Sequence, residues 1–163
     1  MESKSIHRYH LKLNISLILN EIEAVKERLT VLEYQNQWCL QLPKGETNPT
    51  YGSREGKDLK HTELDFNEWL FEDMAYTRTV VELMKMTRTR YMENEPKSCM
   101  SYHKDPSKRI HIPLITDPDC FILVGKTIHH LEVGDAYLVD TTQKHSFINM
   151  SKKCKRVHLV GGV

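Results

Sequence analysis

Apolar residues recur at helical spacing near the start of the chain. Over residues 15–32, good helix formers separate the apolar positions, which are Ile15, Leu17, Ile18, Leu19, Ile22, Val25 and Leu29. This pattern predicts an amphipathic α-helix over the whole range. A short strand is predicted over residues 37–42 (QWCLQL), followed by a loop over residues 43–60, which are rich in glycine, proline, asparagine and charged residues.

A second apolar stripe runs from residue 65 to residue 86. Asp65 and Asn67 are residue types that favour helix N-caps. The stripe that follows them consists of Leu70, Met74, Val80, Val81, Leu83, Met84 and Met86. We interpret this stretch as a second helix whose apolar side packs on a sheet and belongs to the core.

From residue 87 onward the pattern changes from helical to alternating. Short runs of β-branched and aromatic residues are separated by turn residues, and the runs are TRYM, SCMSYH, RIHIPLI, CFILVG, TIHHLEV, AYLVDT, HSFINM and RVHLVGG. Such closely spaced short strands predict an antiparallel all-β unit. Closing the unit into a sandwich or barrel removes long exposed edges. The expected fold is therefore mainly β, a jelly-roll-like barrel with two flanking N-terminal helices packed on one sheet.

Composition excludes several classes of protein. The 163 residues suit one domain, and 23 Lys and Arg against 22 Asp and Glu leave no charge excess that would attract nucleic acid or a membrane surface. No apolar run approaches the roughly 20 residues of a membrane-spanning helix. The first residues carry no cleavable export signal. Cytoplasmic localisation is the default expectation.

The four cysteines stand singly, so the chain has no CxxC pair of the kind that binds zinc; they are Cys39, Cys99, Cys120 and Cys154. We expect free thiols in a reducing compartment, although spacing alone does not exclude a disulfide.

Histidines point to chemistry in the last third of the chain, because six of the nine lie between residues 103 and 158. Two predicted strands share one pattern there. Arg109 and His111 alternate with aliphatic residues in RIHIPLI, as Arg156 and His158 do in RVHLV. Successive side chains of a strand point to opposite faces, so each strand has one face with an Arg-x-His pair. These faces either meet solvent or line an internal pocket with an anion-binding wall.

A candidate metal site adjoins the first of these strands. His103 and Asp105 are separated by one residue, so at a strand end their side chains project to the same side. His145 opens another predicted strand and can supply a third ligand. Two histidines and one carboxylate on one side of a metal form the facial triad, which leaves coordination positions open and suits Fe(II) and oxygen chemistry.

In the order of its motifs, the chain resembles the Fe(II)/2-oxoglutarate-dependent dioxygenases, in the branch of aspartyl/asparaginyl β-hydroxylases and small proline hydroxylases. The resemblance runs from about residue 88 to residue 163. It rests on RTRYM, SYHKDPSKRIHIPLITDPDC, GDAYLVDT, KHSFINMS and KRVHLVGGV, which contain HxD, RxHxPL, HxxxN and RxHL in that order.

The resemblance implies a double-stranded β-helix, the barrel shared with cupins, in which His103, Asp105 and His145 bind Fe(II). It implies an oxidoreductase that uses 2-oxoglutarate and O2 to hydroxylate an unactivated C–H bond, releases succinate and CO2, and is supported by ascorbate. The substrate of the nearest relatives is an amino acid, free or as a side chain in a peptide.

The cosubstrate contacts are also carried over from the resemblance. Arg156 would hold the distal carboxylate of 2-oxoglutarate, with Lys155 as an alternative because the step from His145 is one residue longer than expected. His111 would reach the other carboxylate. Arg109 would bind substrate or lie at the rim of the pocket.

A second hypothesis assigns a different function to the same fold. Histidine and carboxylate ligands accept many divalent ions, so a cupin-like metal-binding module or small-ligand sensor without oxygenase activity is the alternative. In both readings residues 1–163 form one domain, with helical support and substrate-side loops over residues 1–86 and the barrel over residues 87–163. His129 and His130 are adjacent and point to opposite faces, so at most one faces a pocket. The oligomeric state and the role of the loop over residues 43–60 are left open.

Overall fold

The computed structural model describes residues 5–29, 36–54 and 59–163. The first half contains α1 (Ile15–Lys26), α2 (Ala75–Leu83), a 3₁₀ helix (Glu63–Asp65) and the short strands β1 (Ile6–Tyr9), β2 (Gln37–Cys39), β3 (Gln41–Leu42) and β4 (Glu68–Trp69). The second half contains β5 (Thr87–Asn94), β6 (Ser98–Cys99), β7 (Arg109–Ile115), β8 (Cys120–Val124), β9 (Thr127–His129), β10 (Ala136–Val139), β11 (His145–Asn149) and β12 (Arg156–Gly162).

Most strands belong to two antiparallel sheets. The larger sheet has the order β1-β10-β7-β12-β5-β2, and the smaller has the order β6-β11-β8-β9. From β5 onward the chain crosses repeatedly between them, because β5, β7, β10 and β12 lie in the larger sheet and β6, β8, β9 and β11 in the smaller. The predicted mainly β, antiparallel fold with two helices is confirmed. None of the helices in the described part of the chain is both long and apolar enough to span a membrane.

Helix α1 packs its apolar side on the larger sheet. It begins where predicted, because the side chain of Asn14 accepts a hydrogen bond from the backbone N–H of Leu17 and caps the first turn. Ile18, Ile22 and Val25 are buried in a cluster with outward-facing aliphatic residues of β7 and β12. The helix ends at Lys26, earlier than predicted, and residues 30–32 of the predicted range lie outside the described residues.

The predicted helix over residues 65–86 is wrong in its first half. Asp65 ends a 3₁₀ helix and accepts a hydrogen bond from the backbone N–H of Thr62, while the side-chain amide of Asn67 donates to the carbonyl oxygen of Leu64. Neither residue caps α2, which begins only at Ala75. The intervening β4 pairs with β3, a long-range contact that outweighs local helical spacing.

Two further details differ from the sequence expectations. Leu83 of the predicted apolar stripe is 68% exposed at the last residue of α2. The single strand predicted over residues 37–42 is divided between β2, which pairs with β5, and β3, which pairs with β4. The predicted loop over residues 43–60 consists of turns and irregular backbone where it is described, and residues 55–58 lie outside the described residues.

The inner face of the larger sheet is packed against the smaller sheet. Ile122 and Val124 of β8, Tyr137 and Val139 of β10 and Phe147 of β11 form one buried cluster. The Arg-x-His faces of β7 and β12 are buried in this interior, and their aliphatic faces pack against the helices. The interpretation of these polar faces as solvated is therefore wrong, and the alternative of an internal polar wall is confirmed.

Replacing Ile22 with alanine tests the packing of α1 on the sheet. Ile22 is fully buried, so we expect Ile22→Ala to lower the free energy of unfolding by about 2–5 kcal/mol. Leu83→Ala, which truncates an exposed side chain, is the control and should change it by less than about 0.5 kcal/mol. Urea unfolding measures both. Equal midpoints for the two variants would contradict the described packing.

Candidate active site

Three candidate ligand side chains meet at one end of the two sheets. Potential ligand atoms of His103, Asp105 and His145 all lie within 4.8 Å of one another. The ring centroids of the two histidines are 4.4 Å apart, and the Asp105 carboxylate lies 3.6 Å from Nε2 of each, through Oδ1 to His103 and through Oδ2 to His145. The backbone holds this arrangement, since His103 and His145 exchange two N–H···O=C hydrogen bonds. The backbone N–H of Asp105 donates to the carbonyl oxygen of Thr141 at 2.9 Å.

Both histidines present the same nitrogen to the cluster. Nδ1 of His103 donates to the carbonyl oxygen of Ser101 at 2.7 Å, and Nδ1 of His145 donates to that of Gln143 at 3.0 Å. A carbonyl only accepts, so Nδ1 carries a proton in each ring, and in the neutral form of the ring Nε2 keeps a free lone pair. Burial lowers the pKa of His145, which favours this neutral, metal-binding form. Such backbone partners are typical of metal-ligating histidines.

Asp105 is held by a chain of buried ion pairs. Nε of Arg109 donates to Oδ2 of Asp105 at 3.0 Å, and Nη1 of Arg109 contacts Glu63 on the 3₁₀ helix. Glu63 also accepts from Nη1 of Arg88 at 3.1 Å and from the hydroxyl of Ser107 at 2.7 Å. The chain fixes the direction in which the Asp105 carboxylate points. Sequence reasoning missed Glu63, because its partners come from other parts of the chain.

Gly162 leaves the room that this chain of ion pairs needs. A Cβ at that position would lie 2.9 Å from Nη1 of Arg109 and 3.1 Å from Oε2 of Glu63. Any side chain there would press on the contact between the two charged groups. Glycine as the last residue of β12 therefore leaves this contact undisturbed.

A cavity of about 490 Å³ opens beside the three candidate ligands. That size lies within the usual range of small-molecule sites. Besides the ligands, its interior wall includes Arg90, Arg109, His111, Phe147 and Val160. At its mouth stand Asn36, Gln37, Arg54 and Lys104. The wall carries both cations and imidazole nitrogens, so it suits an anionic ligand.

Several buried polar atoms of this wall have no hydrogen-bond partner within the described residues. They are Nε of Arg90, Nη2 of Arg109 and both ring nitrogens of His111. Buried polar groups are nearly always paired, so these atoms indicate a polar ligand. Burial lowers the pKa of His111 well below 6.5. The ring is therefore neutral at pH 7, with one donor and one acceptor nitrogen.

Of the remaining candidate residues, some line the cavity and others do not. His111 is fully buried and lines the cavity. Arg109 is not at the rim, since it is 1% exposed and bound to two acids. His129 and His130 bond to Thr127 and to the Cys120 carbonyl oxygen, away from the cavity.

Arg156 is buried, but it does not line this cavity. Its guanidinium donates to Oδ1 of Asn94 at 3.0 Å and to Nδ1 of His158 at 2.8 Å. It lies 4.3 Å from the ring centroid of Phe147, whose ring also forms part of the cavity wall. Burial lowers the pKa of Arg156 to about 9. The alternative, Lys155, pairs with Glu93 and Glu95 on the surface.

Comparison with known proteins gives one matching family and several structures with a similar fold. The family model described as aspartyl/asparaginyl beta-hydroxylase matches residues 65–162. The fold is similar to that of AviO1 from Streptomyces viridochromogenes Tue57 and to that of a truncated form of the viral collagen prolyl hydroxylase vCPH from Paramecium Bursaria Chlorella virus-1. Each has a TM-score of 0.53 and 12% sequence identity, over 98% of this chain and 90% of the other. No curated protein sequence matches the chain.

Removing the Glu63 charge tests the chain of ion pairs. Glu63→Gln leaves the buried guanidinium of Arg88 without a carboxylate, so we expect the free energy of unfolding to fall by at least about 2 kcal/mol. Glu72→Gln, at an exposed glutamate, is the control and should be near neutral. Chemical denaturation at pH 7 measures both.

The pH dependence of this effect has a definite sign. Burial alone would raise the pKa of the Glu63 carboxyl, but the Ser107 hydrogen bond and the Arg109 and Arg88 charges outweigh it, and the pKa is lowered from 4.5. The stabilisation is therefore present above pH 4.5 and lost as pH falls through the folded-state pKa. The difference between native and Glu63→Gln proteins should shrink in acid. A difference that stayed constant down to pH 3 would contradict this account.

Proposed function

The chain belongs to the aspartyl/asparaginyl β-hydroxylase family, and from that premise we propose that it is an Fe(II)/2-oxoglutarate-dependent dioxygenase. It hydroxylates an unactivated C–H bond of an amino acid or peptide side chain and releases succinate and CO2. One observation carries the proposal: the cluster of His103, Asp105 and His145 opens onto a cavity whose buried cations and imidazole have unused hydrogen-bonding atoms.

The donor set fits a divalent metal that keeps open positions. Two neutral histidines and one carboxylate form the facial triad of non-haem iron oxygenases. His103, Asp105 and His145 would hold Fe(II), and the metal, with 2-oxoglutarate and O2, supplies the oxidising power when bound. Arg109 keeps the carboxylate of Asp105 turned toward the histidines, and Phe147 contributes an apolar wall that limits water in the cavity.

The wall of the cavity also fits 2-oxoglutarate. A dicarboxylate can accept from the nitrogens that have no partner among the described residues, which belong to Arg90, Arg109 and His111. His111 contacting one carboxylate stays a prediction, as does Arg156 holding the distal one. For Arg156 the ligand would have to reach past Phe147.

The strand order supports a double-stranded β-helix. One four-strand set has the order β5-β12-β7-β10, and the facing set has the order β6-β11-β8-β9. Consecutive strands alternate between the sets except at the β8–β9 hairpin, as expected for a jelly roll. We propose that residues 87–163 form this barrel and that residues 1–86 support it within one domain.

The substrate enters at the mouth of the cavity. Its polar groups there belong to Asn36, Gln37, Arg54 and Lys104. Gln37 lies in β2, Asn36 directly precedes it, and Arg54 lies in the loop after β3. This placement supports a small polar molecule or a peptide segment as substrate. We therefore expect the segment over residues 36–54 to contribute to the choice of substrate. One of the two structural neighbours is named as a collagen prolyl hydroxylase, which is compatible with an amino-acid side chain as the target.

Replacing Asp105 tests the metal site. Asp105→Ala should weaken Fe(II) binding at least about 100-fold, because loss of outer partners of a ligand already costs 10–100-fold. Asp119→Ala removes an exposed carboxylate and is the control, which should bind metal like the native protein. Anaerobic isothermal titration with Fe(II) measures the affinity. Native affinity in Asp105→Ala would remove this residue from the metal site.

The cosubstrate requirement distinguishes the oxygenase from a metal-binding module or sensor. Under anaerobic conditions a weak visible charge-transfer band should appear only when Fe(II) and 2-oxoglutarate are both added. In air, with ascorbate, succinate release should be stimulated by the correct member of a panel of amino acids and short peptides. Tight metal binding with neither the band nor succinate would favour the module or sensor.

A further inference from the structure

Two of the four cysteines lie against the same buried side-chain amide. Cys120 is the first residue of β8 and pairs with Asn149, the last residue of β11. Its Sγ lies 3.3 Å from Oδ1 of Asn149, while Nδ2 of the same amide donates to the carbonyl oxygen of Cys154 at 2.8 Å. The two thiols are also hydrogen-bonding neighbours. The fold thus brings together two cysteines from distant parts of the sequence.

The connection between β11 and β12 is folded onto the start of β8. The backbone N–H of Met150 donates to the carbonyl oxygen of Asp119 at 3.0 Å, next to Cys120. Further along the connection, the backbone N–H of Cys154 donates to Oγ of Ser151 at 2.9 Å. Backbone contacts therefore hold Cys154 in place beside β8.

The other two cysteines are less suited to a bridge. Cys99 lies in β6, on the far side of β11 from Cys120. Two interstrand spacings of about 4.8 Å put roughly 9.6 Å between the backbones of β6 and β8, and a disulfide allows no more than about 7 Å between Cα atoms. Cys39 lies in the larger sheet, with its Sγ 3.4 Å from the carbonyl oxygen of Tyr51. Of the four free cysteines, the geometry singles out Cys120 and Cys154.

The two thiols of this pair differ in their access to solvent. Cys120 is buried, whereas Cys154 is half-buried, so a small oxidant in solution reaches Cys154 first. Burial, with Cys120 and Asp117 nearby, raises the pKa of the Cys154 thiol to about 11. The thiolate is the reactive form, so oxidation is slow at pH 7 and faster in mild alkali.

We propose that Cys120 and Cys154 are a redox pair that a hydroperoxide converts into a disulfide, which fastens the β11–β12 connection to the start of β8. The two thiols are already in contact, so the bridge closes within the native fold. The inference does not depend on the proposed function, because neither cysteine is a candidate metal ligand.

The oxidation takes place in two steps. The thiolate of Cys154 attacks one oxygen of hydrogen peroxide, the O–O bond breaks, and the products are a sulfenic acid and a hydroxide ion that takes up the proton Cys154 released. Sulfur of Cys120 then attacks the sulfenic sulfur, and the hydroxyl group leaves as water with the thiol proton of Cys120. In sum, two thiols are oxidised to one disulfide and the peroxide is reduced to two molecules of water.

The experiment uses the full-length protein with Cys99→Ser, which removes the exposed thiol that could join two molecules. The folded protein is treated with hydrogen peroxide in mild alkali, the remaining thiols are blocked with N-ethylmaleimide, and tryptic peptides are analysed by mass spectrometry. We expect the peptide that contains Cys120 to be joined to the one that contains Cys154, with the loss of two hydrogen atoms, while Cys39 carries maleimide. Dithiothreitol should separate the joined peptides.

Two further variants in the same background test the order of the steps. In Cys154→Ser, Cys120 should keep a free thiol, because it is buried and has lost its partner. In Cys120→Ser, Cys154 should stop at the sulfenic acid, which dimedone traps. Oxidation of Cys120 at the native rate in Cys154→Ser would overturn the assignment of Cys154 as the thiol that reacts first.

The same oxidation in concentrated urea is the control for geometry. Unfolding removes the contact between the two thiols, so all pairings among Cys39, Cys120 and Cys154 should appear. The same mixture of pairings from the folded protein would overturn the proposal. So would folded protein in which Cys154 is oxidised without becoming linked to Cys120, or in which both thiols stay free.

Thermal unfolding checks that the bridge fits the native fold. The bridge would close a long loop that contains β9, β10 and β11, and closing a long loop restricts the unfolded chain. We expect the Tm of the bridged protein to be at least about 4 °C higher than that of the same protein reduced with dithiothreitol. A lower Tm in the bridged protein would show that the fold must distort to admit the bond, and would overturn the claim that the thiols are already in place.

Discussion

Both the fold and the candidate site depend on the burial of strands β7 and β12 on their two faces. One face of each strand is aliphatic and packs against the helices, while the other directs arginine and histidine into the space between the sheets. Apolar burial on the first face offsets the cost of placing polar groups on the second. Because those groups have no access to bulk water, each of them needs a partner. This requirement organises the interior into ion pairs, hydrogen bonds and a cavity.

The arginines of the interior fall into different groups according to their partners. Arg88 and Arg109 form ion pairs with acidic side chains. The ion pair between Arg109 and Asp105 also fixes the direction of the Asp105 carboxylate. Arg156 is held by neutral partners and by an aromatic ring. Arg90 lines the cavity, and its Nη1 donates to the carbonyl oxygen of Ser53. Chemically identical side chains thus have different electrostatic partners within one interior.

Much of the second half of the chain could be predicted from its sequence, because alternation in short strands is a local signal. The convergence of His103, Asp105 and His145 followed from spacing and from the order of the motifs, and the match to residues 65–162 confirms the family resemblance. The first half was predicted less well, since pairing of β4 with β3 shortened the second helix. The surroundings of Arg90 in the RTRYM motif could not be predicted, because the absence of an acidic partner among the described residues is visible only in three dimensions. Which face of β7 looks inward was likewise decided by where the helices pack.

The contact between Glu63 and two buried arginines has a consequence for the modular use of this fold. Glu63 lies on the 3₁₀ helix, before β5 and two residues before the segment that matches the family model. A fragment cut at either boundary would keep every candidate metal ligand and still lose the carboxylate that balances Arg88 and shares Arg109. Transplanting the strands alone into another protein would therefore carry over the ligands without the counter-charge that orients one of them.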